Sequence, residues 1–179
     1  LKKEPYVETD PTSPQSVYGK TKCEGEEKIR NHSKHIILRT SWVFSYHGNN
    51  FLKTILRLAQ ERESIDIVND QWGSPASASM LTDVAIHIVD RILKGLNFRD
   101  FGTYHVTTDG EINWFDFGTY IIKEASLLNF KAKLKLENIR AIPTSEYPLP
   151  AKRPLNSRLN CEKLKKTFML ELPNWQDEF

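Results

Sequence analysis

Apolar residues recur along this chain in two ways, as stripes at helical spacing and as short unbroken runs of strand length. Phe51, Leu52, Ile55, Leu56 and Ala59 make one helical stripe. Met80, Leu81, Val84, Ala85, Ile88, Val89, Ile92 and Leu93 make the clearest one, stopped by Gly95. The runs His35–Ser41 and Ile65–Val68 have the compact apolar character of buried parallel strands. Thr103–Thr107 reads as a further strand, and Leu134–Ile142 is strand-like. Ser13 followed by Pro14 predicts an N-cap with proline at the first helical position, opening a helix that runs to about Arg30. Asn113 with Asp116 predicts a capping pair for a helix carrying Phe117, Ile121 and Leu128. Asn160 is placed to cap a last helix bearing Leu164 and Phe168, and Leu172-Pro173-Asn174-Trp175 reads as the start of another. Residues 1–15 and the stretch holding Pro143, Pro148, Pro150 and Pro154 are expected to be irregular. Strands alternating with helices predict an α/β architecture.

Composition narrows the function classes. With 25 basic and 23 acidic residues well mixed along 179 positions, no nucleic-acid footprint is indicated, and Lys163–Lys166 reads as a solvated helix face. No apolar run reaches membrane length, and the opening LKKEPYVETD lacks the apolar centre of a signal peptide. Cys23 and Cys161 show no metal-ligand spacing, so a reduced, cytoplasmic protein is the default expectation.

The chemistry centres on Tyr18 and Lys22. Four residues apart on a helix, the phenol and the ammonium share one face. A cation beside a phenol favours its phenolate, which makes a tyrosine usable as a proton donor or acceptor. The spacing alone is weak, because a chain with six tyrosines matches it readily by chance. Context strengthens it: the capped helix is followed by a buried strand ending at Arg39-Thr40-Ser41-Trp42, and ligands bind at the carboxyl ends of strands in open α/β sheets. Trp42 there is either a stacking wall for a sugar or base or, more commonly for tryptophan, part of the core. An internal ion pair is the expected role of Arg39.

The segments YGKTKCEGE, RTSWVF, GNNFLKTILRLAQE, VNDQWGSP, AIPTSEYP and AKRPLNSRLN, in that order, resemble the dTDP-4-dehydrorhamnose reductase family of the extended short-chain dehydrogenase/reductase superfamily. The resemblance runs from Glu8 to Trp175. It implies the C-terminal part of a Rossmann-like doubly wound sheet with a small α/β substrate-binding domain. Residues 1–68 would hold the end of the dinucleotide-binding domain, and 69–179 mainly the sugar-nucleotide domain, with one or two helices packing back on the sheet. The implied reaction is NADPH- or NADH-dependent reduction of the C4 ketone of a dTDP-4-dehydro sugar. In it, Tyr18 would be the catalytic tyrosine, Lys22 would hold the nicotinamide ribose, and Trp42 would line the sugar-nucleotide site.

Asn50, with Asn49, could bond the sugar or simply cap the next helix. Asn69, Asp70 and Gln71 form a polar turn that could close over a substrate. Arg153 and Arg158 could hold a diphosphate, with surface ion pairs as the plain alternative. Some members of the family hold magnesium at a dimer contact, but no ligand cluster for it stands out here.

The resemblance also exposes a departure. None of the 8 glycines forms the glycine-rich turn that binds a dinucleotide pyrophosphate, so the chain resembles about the last 60% of such an enzyme. On that basis the fragment alone is expected to be inactive and to bind NADPH poorly, with a homodimer or partner chain covering the truncated sheet. The alternatives are a non-catalytic regulatory or binding subunit of the same fold, or another nucleotide-sugar reductase or epimerase.

Overall fold

The computed structural model describes residues 2–95, 97–148 and 150–179. In chain order the regular elements are α1 (Val17–Arg30), β1 (Ile36–Arg39), β2 (Val43–Phe44), α2 (Phe51–Glu61), β3 (Ile65–Val68), β4 (Trp72–Gly73), β5 (Ala76–Ser77), α3 (Ala78–Lys94), β6 (Gly102–His105), β7 (Ile112–Asn113), α4 (Trp114–Leu127), β8 (Ile139–Ile142) and α5 (Glu162–Phe168). Three 3₁₀ turns, Leu136–Asn138, Thr144–Glu146 and Trp175–Glu178, complete them. Strands alternating with helices make this an α/β fold, as the apolar pattern predicts.

Three of the strand pairs are parallel: β1 with β6, β2 with β5 and β3 with β8; β4 and β7 run antiparallel. In the first pair Ile36 lies opposite Gly102 and Arg39 opposite His105. Side chains alternate across a strand. Ile36 and Leu38 accordingly face one core, formed by Met80, Val84 and Ile88 of α3, Tyr104 and Val106, and Leu164 and Phe168 of α5. Ile37 and Arg39 point to the other face, where Arg39 grasps Glu26 of α1. Helices on both faces of a parallel pair are the doubly wound arrangement.

A second core joins Ile55 and Ala59 of α2, Ile65 and Ile67 of β3, Phe117, Ile121 and Ile122 of α4, and Ile139 of β8. The two cores interleave along the chain. α2 and β3 precede residue 68 yet pack with α4 and β8, while α3, β6 and α5 follow it yet pack with β1. Parallel pairing thus brings together strands distant in sequence.

Several ends differ from the sequence expectation. α1 is capped by Ser16, whose hydroxyl accepts from the Gly19 amide at 3.1 Å, and not by Ser13. The oxygens of Ser13 accept from the Gln15 amide group instead, and the cap falls three residues later. Asn113 caps α4 as expected, accepting from Asp116 N at 2.8 Å, but Leu128 beyond the helix is exposed. Only Ile139–Ile142 of the long strand-like run is a strand; the amides of Lys133 and Leu134 turn instead to the Ala59 carbonyl. α5 begins at Glu162, with Asn160 Oδ1 accepting from its amide at 2.9 Å.

Candidate active site

α1 presents Tyr18 and Lys22 on one face, with the Lys22 ammonium 5.6 Å from the centre of the Tyr18 ring. Tyr18 is 72% exposed, and among the described residues neither the phenol oxygen nor the ammonium has a hydrogen-bond partner. Both are free to meet a ligand. The helix itself has no buried residue. Two turns along the same face, Glu26 accepts from Arg39 Nε at 2.9 Å and Arg39 Nη2 at 2.6 Å. The neighbouring carboxylate raises the Arg39 guanidinium above its ordinary value, with burial opposing. The expected internal ion pair of Arg39 is thus present.

Past β1 the chain turns sharply at Trp42, which has a φ of 51°, a left-handed conformation costly for a residue with a side chain. The indole stacks on Trp114 at 3.4 Å, the planes 8° apart, and packs near Phe117. One indole face is therefore already covered within the protein. Trp114 in turn lines a cavity of about 410 Å³ between α2 and β3, with Phe51, Gln71, Tyr147 and Arg153 also on its wall. Arg153 is exposed and makes no hydrogen bond or ion pair among the described residues. Its counterpart Arg158 is engaged, pairing with Glu111 at 2.7 Å and bonding Asn156 and the Lys3 carbonyl.

Asn50 caps α2. Its Oδ1 accepts from Lys53 N at 3.0 Å and its Nδ2 donates to the Ser45 carbonyl at 2.6 Å, so the cap uses both ends of the amide. Its neighbour Phe51 lines the first cavity, and Leu52 a wider one of about 1050 Å³ also walled by Tyr46, His47, Lys53, Ser77 and Asp83. In the polar turn after β3, Asp70 accepts from the Thr144 amide and hydroxyl, and buried Gln71 donates to Thr144 Oγ1 at 3.0 Å. That turn is locked to the Thr144–Glu146 turn.

The structure thus joins Trp42, through Trp114, to the cavity bearing Arg153, while Tyr18 and Lys22 line neither cavity. Trp114 and Tyr147 were not singled out from sequence. A tryptophan one position after a helix cap reads as ordinary core, and only the tertiary stacking gives it away. Among the described residues no cluster of three or more His, Cys, Asp or Glu could hold a metal, and no helix is long and apolar enough to cross a membrane.

Parallel strands covered by helices on both faces make this a Rossmann-like α/β protein. Within that class, the chain belongs to the RmlD substrate binding domain family, whose profile matches residues 1–179. It is 45% identical over 174 residues to the dTDP-4-dehydrorhamnose reductase of Escherichia coli, a match covering 96% of this chain and 56% of that protein. The chain thus spans little more than half the length of that relative.

Two solved structures are also similar. The dTDP-4-dehydrorhamnose reductase of Clostridium acetobutylicum superposes with a TM-score of 0.84 at 34% identity, covering 98% of this chain and 57% of that one. The Bacillus anthracis enzyme, solved in complex with NADP, gives 0.80 at 35% identity, covering 97% and 57%.

Proposed function

We propose that this chain is the substrate-side part of an NADPH-dependent reductase that converts dTDP-4-dehydro-L-rhamnose to dTDP-L-rhamnose. The observation that carries the reading is the Tyr18–Lys22 pair, side by side on α1 and without partners, in a chain so similar to reductases of that name. A ketone becomes an alcohol by gaining a hydride at carbon and a proton at oxygen. Bound reduced nicotinamide supplies the hydride. Tyr18 then donates its phenolic proton to the C4 oxygen, removing the charge that would develop there. Lys22, with three donors and no competing partner, holds the ribose hydroxyls and favours the phenolate left behind.

Trp42, through the Trp114 indole it stacks on, shapes the wall of the sugar site, and Asn50 fixes the loop before α2. Arg153 offers an unpaired planar guanidinium to the diphosphate at the mouth of the aromatic cavity. These residues fit the sugar nucleotide and the nicotinamide end of the cofactor. The chain's glycines form no pyrophosphate-binding turn, and in this reading that end belongs to a nucleotide-binding half. A second copy or the nucleotide-binding half covers the apolar residues left exposed on α1 and α3, such as Val17 and Leu93. Two free cysteines accord with a reducing cytoplasmic setting.

The test is turnover by the chain joined to the nucleotide-binding half of the Escherichia coli relative, followed as NADPH oxidation with the dTDP-4-dehydro sugar. Tyr18→Phe should lower kcat by about 10²–10⁴-fold with little change in KM. Unaltered turnover by that variant would remove Tyr18 from the chemistry. Failure of the joined protein to turn over, when it folds and binds both ligands, would favour a binding subunit.

A further inference from the structure

We infer that Glu26 and Arg39 are positioning residues for the Tyr18–Lys22 pair, a two-pronged clamp that sets the register of α1 against β1. The inference rests on the catalytic reading of Tyr18 and deepens it.

Within this chain α1 is held mainly by polar contacts, its apolar side chains being left for the nucleotide-binding half or a second copy to cover. None of its residues is buried, and Val17, Tyr18 and Ile29 are at least half exposed. Its N-terminal cap is local, made by Ser16 to Gly19, and fixes where the helix starts without fixing where it lies. Among the described residues two side-chain hydrogen-bonding contacts leave the helix for other parts of the chain. Cys23 meets the Thr12 hydroxyl at 3.2 Å, a weak contact to an irregular segment. The other contact is Glu26 to Arg39.

That second contact has the geometry of a clamp. Both Glu26 oxygens are engaged, by Arg39 Nε at 2.9 and 3.1 Å and by Nη2 at 2.6 Å. A fork-to-fork contact fixes an angle as well as a distance. Arg30, one turn on, adds a third donor to Glu26 at 2.8 Å, so the carboxylate is held from both sides. With side-chain exposures of 17% and 18%, it is the most sheltered ion pair among the described residues, so salt and water screen it least.

Its position matters as much as its strength. Tyr18, Lys22 and Glu26 follow one another at four-residue intervals, so they lie on adjoining strips of one helix face, with Glu26 about 12 Å along the axis from Tyr18. Arg39 closes β1, and the next residues lead directly into Trp42. The clamp thus ties the face that bears the phenol to the strand end that bears the sugar-site tryptophan. Sliding or rolling α1 would part the two.

The test uses the 179-residue chain, with amide hydrogen exchange across α1 and fluorine NMR of fluorotyrosine-labelled protein, the Tyr18 resonance being assigned by its loss in Tyr18→Phe. In Glu26→Gln and in Arg39→Lys, α1 amides should exchange roughly tenfold faster or more, as loss of a charge-assisted contact implies, and the Tyr18 resonance should move. Arg39→Lys keeps the charge and gives up only the planar fork, so it separates angle from attraction. Amides of β6 and α3 should keep their protection in both variants, which reports that the fold survives.

An unmoved Tyr18 resonance in both single variants overturns the inference. Faster exchange without movement of Tyr18 also overturns it, since the pair would then only stabilise the helix. These measurements need neither cofactor nor substrate, so they can fail while Tyr18→Phe still abolishes turnover in the joined enzyme. Conversely, normal turnover by Tyr18→Phe would overturn the catalytic reading, and the clamp's purpose with it, whatever the resonance shows.

Discussion

The indole of Trp42 lies flat on that of Trp114, ring centres 3.4 Å apart and planes 8° from parallel. Gly73 makes this possible. A Cβ added there would come within 2.6 Å of Trp42 Nε1 and 2.8 Å of Ser157 Oγ. Gly73→Ala must therefore push the indole off its partner. The expected cost is about 1–3 kcal/mol, the range for overpacking a tight site. Urea denaturation should show it, together with loss of near-ultraviolet circular dichroism from the stacked pair. An alanine variant with both signals intact would mean that Trp42 has room to give.

Much of this was legible in the chain. The α/β alternation, the extents of α2 and α3, the Asn113 cap and the Tyr18–Lys22 face all follow from local spacing, which sequence records directly. What escaped is tertiary. Ser13 and Ser16 are both good caps, and only the path of the preceding proline segment decides between them. Trp114 and Tyr147 reach one cavity from elements 33 residues apart, and no periodicity marks that meeting. The interleaving of the two cores likewise depends on which parallel strands pair, since β3 finds β8 about 70 residues further along the chain.

His105 should make stability fall in mild acid. The ring is 1% exposed, and burial lowers its ability to take a proton, with Arg39 acting in the same direction. Glu8 and hydrogen bonds to the Tyr6 and Asn160 backbone oppose that without reversing it. A group that binds its proton less readily when folded leaves the unfolded chain holding more protons, so stability rises with pH. The contribution is complete above the ordinary histidine value near 6.5 and is lost as pH falls below it toward the depressed folded value. Urea midpoints measured from pH 8 to pH 5 should therefore decline. Replacing His105 with Gln should flatten that decline, and an equal slope in the variant would assign it elsewhere.

The two cysteines should react very differently. Burial pushes the Cys161 thiol up, and Thr107 meets its sulfur through both amide and hydroxyl, at 3.3 and 3.4 Å. The thiolate is the reactive form, so Cys161 stays inert near neutral pH. Cys23 is only half-buried on α1. At pH 8 a chromogenic disulfide should titrate one thiol in the native protein and the second only as urea unfolds it. Cys23→Ser should leave the native protein silent; rapid reaction of that variant would show that the Cys161 site opens readily.

Phe168 offers a way to ask whether the two cores unfold together. It is fully buried on α5, packed edge-on against Tyr104 at 5.0 Å and stacked with Phe98 at 6.3 Å. Phe168→Ala should cost about 3–5 kcal/mol, a large share of the 5–15 kcal/mol typical of a domain. That loss falls on the core holding α3 and α5, which contains no tryptophan. Trp42, Trp114 and Trp175 belong to the other core, and Trp72 lies on β4 beside it, so fluorescence reports α2, β3 and α4. Among the described residues the short β2–β5 pair, the Phe44–Phe117 contact, the Ser77–Glu178 hydrogen bond and the ties of Asp109 to Lys165 and Trp175 join the two. The variant's urea midpoint by far-ultraviolet circular dichroism should therefore drop further than its midpoint by tryptophan fluorescence. Coincident midpoints would mean that this seam is enough to make one cooperative unit, with damage beside α5 felt in full at Trp114.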